Sequence, residues 1–384
     1  MTLHRMRFAL FAALLVLTPG AAAPGSPSAA ADEPAPDSYW VFFGTYTGGK
    51  GGSKGIHRAK LDVKTGKLSD LAVAAEMGSP SFVTIHPNGK FLYAVGEGGG
   101  KEGGPVVAFG LNAKTGELTK LNEEKSGGSG PCHVVVSPKG DYAAVANYGG
   151  GSTALFKIDS EGKLTKAGFV QHKGSSVDPN RQKEPHAHNC AFDPRGEYVV
   201  TVDLGIDKVK AFKIDGEKGL VEDEKMDITT PAGSGPRHIA INARGKAAYV
   251  CGELDSTVNV ILVHKVVQSL STLPKPVEGN STAECILSPD AKFVYVSNRG
   301  HNSIAVFKIG EDQKLTAAGH ITGDIKIPRN FNIDPTGKWM LIASQDGHKV
   351  GVWEIDAKTG GAKETGSTVE VGSPVCVKFV AIEK

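Results

Sequence analysis

The chain has 384 residues, 49 of them glycine and 21 proline, and 40% of it is hydrophobic. That apolar share suffices for a buried core and excludes a wholly disordered chain, while the glycine excess favours turns over helices. Lys and Arg number 43 against 41 Asp and Glu, a net charge of only +2 without like-charge runs. The basic face that a phosphate backbone requires is absent, so no nucleic-acid partner is expected.

Residues 1–31 read MTLHRMRFALFAALLVLTPGAAAPGSPSAAA. Arg5 and Arg7 precede an apolar run from Phe8 to Leu17, and Pro19-Gly20 breaks it before a series of small residues. The run is too short to span a bilayer, which takes ~20 residues, so it predicts a secretory signal peptide rather than an uncleaved anchor. Cleavage is expected after Ala31, since Pro24 would directly follow a cut after Ala23. Residues 32–38 then form a short Pro-rich leader and residues 39–384 the folded part, periplasmic or secreted and free of the membrane once cleaved. Export makes the cysteines relevant. Cys132, Cys190, Cys251, Cys285 and Cys376 are widely spaced in apolar runs, with no CxxC pair. They read as buried free thiols, one disulfide being left open, and no zinc site is expected.

Beyond the leader one pattern repeats. A Pro-x-Gly turn follows a short apolar run at His86-Pro87-Asn88-Gly89, Ser137-Pro138-Lys139-Gly140, Asp193-Pro194-Arg195-Gly196 and Asp334-Pro335-Thr336-Gly337. Degenerate copies stand at Asn242-Ala243-Arg244-Gly245 and Ser288-Pro289-Asp290-Ala291. The last positions of these turns are 51, 56, 49, 46 and 46 residues apart. Each turn joins two β-rich runs; a third alternating run follows (SIAVFKI, KVGVWEI), then a more polar fourth. Four antiparallel strands at this period predict an all-β, seven-bladed β-propeller. Six blades are whole. The seventh is split, with SPVCVKFVAIEK supplying its first strand and the N-terminal YWVFFGTYT, GIHRAKLDV and LAVAAEMG the other three. Pairing the N- and C-terminal strands in one blade closes the ring and hides its edges. A pair of β-sandwiches leaves the period unexplained.

Aligned turns locate the chemistry. Five residues before each turn stand Ser81, Cys132, His188, Arg237, Ala283 and Arg329, followed directly by Phe82, His133, Asn189, His238, Glu284 and Asn330. Eight residues after each turn stand Glu97, Tyr148, Leu204, Glu253, Arg299 and Gln345. The start of a blade's first strand and the end of its second share one edge, so these columns should crowd one mouth of the central channel. Of this set His188, Arg237 and Glu253 are the catalytic candidates, and Arg299, Arg329, His133, His186 and His238 the substrate-binding ones. His133 and His238 alternatively point into their blades. His186 and His188 share a strand face, yet no third ligand stands out by spacing; no metal and no cofactor are expected. GTYTGGK (44–50) lacks the Ser/Thr of a phosphate loop, and neither a GxSxG elbow nor HExxH is present.

With those motifs in place, the sequence from about Tyr39 onward resembles the seven-bladed lactonase family. That family includes cycloisomerase-type 6-phosphogluconolactonases and the fungal 3-carboxy-cis,cis-muconate lactonizing enzymes. FFGTYT, PCHVVVSPKG, PHAHNCAFDPRG, GPRHIAINARGKAAYVCGELDSTV, SNRGHNSIAVF and PRNFNIDPTGKWMLIASQD carry the likeness together. The resemblance implies a metal-independent enzyme with family site residues at His188, Arg237, Glu253 and Arg299. Gly252 stands where the family often has Asn. Opening a lactone needs water activated by a base, and donors where negative charge develops. Glu253 or His188 is the expected base, Arg237 the partner of the oxyanion or of the new carboxylate, and Arg299 and Arg329 ligands for an acidic group. The expected partner is a small lactone or organic acid, met by a monomer. A muconate-type cycloisomerase and a non-catalytic exported propeller binding a ligand or partner protein are the alternatives.

Overall fold

Seven antiparallel sheets follow one another along the chain, each built from the paired runs that a tight turn folds back on one another. A computed structural model describes residues 36–243 and 246–383. The predicted signal peptide, and the leader up to residue 35, lie outside the described residues. The innermost strands are Phe82–Ile85, Pro131–Val136, Ala187–Phe192, Pro236–Asn242, Thr282–Leu287, Pro328–Ile333 and Pro374–Ala381. We number blades 1 to 7 by these strands. Each innermost strand touches the next and the last touches the first, so the sheets close a ring around a central channel. Blade 7 runs, from inside out, Pro374–Ala381, Ser38–Thr45, Gly55–Asp62 and Leu68–Glu76. The split blade is thus closed by both ends of the folded chain, as the repeat pattern predicts.

Local chemistry explains why the turns hold. The Asp193 carboxylate accepts the backbone N–H groups of Glu197 and Tyr198 at 2.6 and 2.7 Å, and Asp334 accepts that of Trp339 at 2.6 Å. Between third and fourth strands the turn must pass under an aromatic ring of the preceding blade, which leaves no room for a side chain. Gly162 has φ +82°, and a Cβ there would lie 2.4 Å from Phe91; Gly360 has φ +73°, with Phe293 at 2.5 Å. Second-strand hydroxyls and an indole stitch neighbouring blades at this level. Tyr93 donates to Gly162 O, Tyr249 to Gln313 O, Tyr295 to Gly360 O and the Trp339 indole to Val63 O, at 2.7 to 3.1 Å. The core consists of apolar layers between adjacent sheets, such as Val41, Phe43, Leu341 and Val352 between blades 6 and 7.

Two blades depart from the regular plan. The longest repeat, ending at Gly196, carries an extra loop at residues 172–186 between blades 2 and 3. In blade 3 the outer strand is interrupted, Gly219–Glu222 and Ile228–Thr229 both pairing with Lys208–Asp215. Lys210 bridges the gap through ion pairs to Glu222 and Asp227.

Candidate active site

A regular strand sends consecutive side chains to opposite faces, so only one residue of each aligned pair should face the channel. The innermost strands are not regular where those pairs fall. Register shifts lie between Pro131 and His133, Ala187 and Asn189, Pro236 and Ile239, Thr282 and Cys285, and Pro328 and Asn330. Such bulges add an unpaired residue and re-aim its side chain. At the bulges of blades 4 and 6 both members of Arg237-His238 and Arg329-Asn330 line one cleft, and Ser81 and Phe82, at the start of blade 1's unshifted innermost strand, line it too. Its other walls are His188, Cys132, Glu97, Tyr46 and Val375.

Glu253 does not face this cleft. Its side chain is 7% exposed and ringed by three guanidinium groups, Arg237 Nε at 2.8 Å, Arg181 Nη2 at 2.8 Å and Arg299 Nη2 at 3.0 Å. Burial alone would raise the Glu253 pKa, but Arg299, Arg237 and Arg181 overcome this and lower it to about 2. A carboxylate held so firmly in its charged form is a poor proton acceptor at neutral pH. Its geometry is that of an anchor: Arg237, only 2% exposed, is fixed by Glu253 on one side and by donation to Ala283 O at 2.6 Å on the other. Arg299 likewise donates to Thr282 O at 2.8 Å and stands behind Arg237 instead of lining the cleft. Burial lowers the Arg299 pKa to about 10, with the charges of Arg237 and Arg329 adding to the effect and Glu253 opposing it.

His188 occupies the opposite role. Its ring packs against Tyr148 and His238 with centroids 5.3 Å away in each case, and its Nδ1 is 3.9 Å from Cys132 Sγ. Burial, reinforced by Arg237, His238 and Arg329, pushes its pKa well below 6.5, so the imidazole is neutral at pH 7. Its Nε2 makes no hydrogen bond to any described residue. His238 also lines the cleft and is neutral. Burial lowers its pKa more than the Glu284 carboxylate 2.7 Å away raises it.

Of the remaining candidates, His133 lies one level deeper. The Asn189 amide is 2.8 Å from its Nε2, the Cys190 N–H donates to its Nδ1, and its ring lies tilted against Phe82 with centroids 4.1 Å apart. Glu284 continues this belt by accepting from the Asn330 amide. His186 is turned away. Its Nδ1 bonds Tyr148 O at 3.0 Å and its ring stacks on Tyr148, so it does not join His188 in the cleft. Among the described residues no group of three His, Cys, Asp or Glu is placed to hold a metal ion. All five cysteines are buried and unpaired.

The structure therefore gathers His188, Arg237, His238 and Arg329 at the cleft and places Glu253, Arg299, His133 and His186 around it. Sequence reasoning missed Tyr46 and Val375, which come from the split blade and so had no place in the six aligned turns. It also missed Arg181. That residue sits on the 172–186 loop, and the 56-residue repeat that creates the loop was its only sequence signal.

A closed ring of seven sheets with imidazole and guanidinium groups converging on one channel mouth defines an enzyme of the propeller lactonase class. The family model "Lactonase, 7-bladed beta-propeller" matches residues 40–379, and the chain belongs to this family. It is 35% identical over 351 residues to a 6-phosphogluconolactonase of Bacillus subtilis, covering 89% of this chain and 98% of that one. Among solved structures, a putative 6-phosphogluconolactonase from Bacteroides fragilis superposes with a TM-score of 0.84 at 33% identity, over 90% of this chain and 98% of that one. The periplasmic gluconolactonase of Pseudomonas aeruginosa gives a TM-score of 0.84 at 29% identity, over 90% of this chain and 100% of that one.

Proposed function

We propose that this lactonase hydrolyses a sugar-acid lactone outside the cytosol, with His188 as general base. The observation that carries the reading is a neutral, unbonded imidazole nitrogen beside a fixed guanidinium in the same cleft. His188 takes a proton from water as that water attacks the lactone carbonyl. Arg237, held in one orientation by Glu253, donates to the oxygen on which negative charge develops, and a preorganised donor needs no rearrangement at that moment. The ring C–O bond then breaks, the alkoxide leaving group takes the proton back from the imidazolium, and the product is a hydroxy acid. Glu253 acts through Arg237 and is a positioning residue here.

Relatives named 6-phosphogluconolactonase and periplasmic gluconolactonase both support a sugar lactone as substrate. The N-terminal signal pattern favours one met in the periplasm or outside the cell. The test is lactone opening by purified protein, followed as acid release above the spontaneous rate, in wild type and Arg237→Ala. Turnover reduced by orders of magnitude in a folded variant supports the reading; wild-type rates remove this site. No turnover in the wild type favours a binding protein, and reversible ring closure without water uptake a cycloisomerase.

A further inference from the structure

With Glu253 enclosed by arginines, the carboxylate open to a ligand in this cleft is Glu97. It lies at the end of the second strand of blade 1, on the cleft wall, and is partly exposed. One of its oxygens, Oε2, accepts the Tyr46 hydroxyl at 2.8 Å, and Oε1 has no hydrogen bond from a described residue. Burial and the adjoining Glu97 charge raise the Tyr46 pKa, so its proton stays on the phenol and points at Glu97.

Two donors share the same walls. The Arg329 guanidinium sits 5.4 Å over the Tyr46 ring and donates to no described residue. Ser81 is 5% exposed, and its hydroxyl is buried on the cleft wall without a partner. Buried polar groups are rarely left unpaired, so the Ser81 hydroxyl calls for an acceptor from whatever fills the cleft, and the partly exposed Arg329 guanidinium is free to bond the same occupant. An anchored acceptor, two unmatched donors and an aromatic ring together suit a ligand carrying several hydroxyls, each both donor and acceptor. They suit a phosphate poorly, because Glu97 places a negative charge beside Arg329.

We infer that Glu97, with Tyr46, Arg329 and Ser81, is the subsite that recognises the hydroxyls of an unphosphorylated, polyhydroxylated lactone. The inference rests on the lactonase reading above. Glu97 decides specificity and takes no part in bond breaking.

The experiment measures kcat/KM for glucono-δ-lactone, for its 6-phosphate and for δ-valerolactone, which has the ring but no hydroxyls. The comparison covers wild type, Glu97→Gln and Tyr46→Phe. A hydrogen bond to a charged acceptor corresponds to roughly tenfold to hundredfold in binding. Wild type should therefore favour gluconolactone over both others. Glu97→Gln should shrink its preference over δ-valerolactone by about that factor, mainly through KM, and relax discrimination against the phosphate. Tyr46→Phe, which frees Glu97, should shift the same ratio in the same direction by a smaller factor. A ratio unchanged in both variants, or a wild-type preference for the phosphate, overturns the inference. Failure of the wild type to open any of the three lactones instead overturns the lactonase reading.

Discussion

Glu253→Gln separates an anchoring carboxylate from a reacting one. The Glu253 carboxyl falls from 4.5 to about 2 in the fold, which makes its ionised form worth about 3 kcal/mol of stability at neutral pH. Removing one partner from a buried charged cluster costs ~3–5 kcal/mol in general, the same size from an independent direction. Because the folded pKa is depressed, this stability is fully present above pH 4.5 and drains away as pH falls from 4.5 towards 2. The gap between wild type and Glu253→Gln should be about 3 kcal/mol at pH 7 and shrink to about 1 kcal/mol at pH 3. Urea denaturation at the two pH values measures it. Turnover should drop as Arg237 loses its fixed orientation, while the acid limb of the rate profile stays where His188 sets it. Wild-type stability at pH 7 combined with complete loss of turnover would refute the anchoring role and return the base to Glu253.

Three other outcomes are expected. His188→Asn should lower kcat/KM by about 10²–10⁴, and the wild-type acid limb should lie below pH 6.5, since burial and the nearby arginines depress that imidazole; turnover within threefold of wild type rules His188 out as base. Deleting residues 374–384 takes away the innermost strand of blade 7 and uncovers Val41 and Phe43, both fully buried, so the truncated chain should lose its cooperative urea transition; a wild-type transition contradicts ring closure by that strand. A thiol reagent should label no cysteine of the native protein and all five after denaturation, because every thiol is buried and unpaired.

The ring was readable because the physics behind it is periodic. A turn that recurs every 46 to 56 residues between alternating apolar runs leaves few other ways to bury the apolar faces. The split blade followed from the same count, since a C-terminal strand and three N-terminal ones each matched a missing place. The columns found most of the cleft wall for the same reason. What periodicity does not contain is the bulge. Regular alternation leaves His238 ambiguous after Arg237, whereas the register shift between Pro236 and Ile239 lets both face the channel. Nor does spacing tell Glu97 from Glu253, which share a column. One lies beside a single tyrosine and the other amid three arginines, a difference made by neighbours distant in sequence.

Closure of the ring and completion of the cleft depend on the same blade. Tyr46 directly follows the N-terminal strand of blade 7, and its backbone N–H bonds Ser373 O, at the start of the C-terminal one, at 3.0 Å. Val375, in that C-terminal strand, lines the cleft beside it. Without this pairing Glu97 loses its hydroxyl donor and Arg329 the ring beneath it, although both lie in blades that are whole. A chain whose ends have not met therefore presents His188 and Arg237 without the wall that faces them. The recognition side of the cleft and the closure of the ring therefore rest on the same pair of strands.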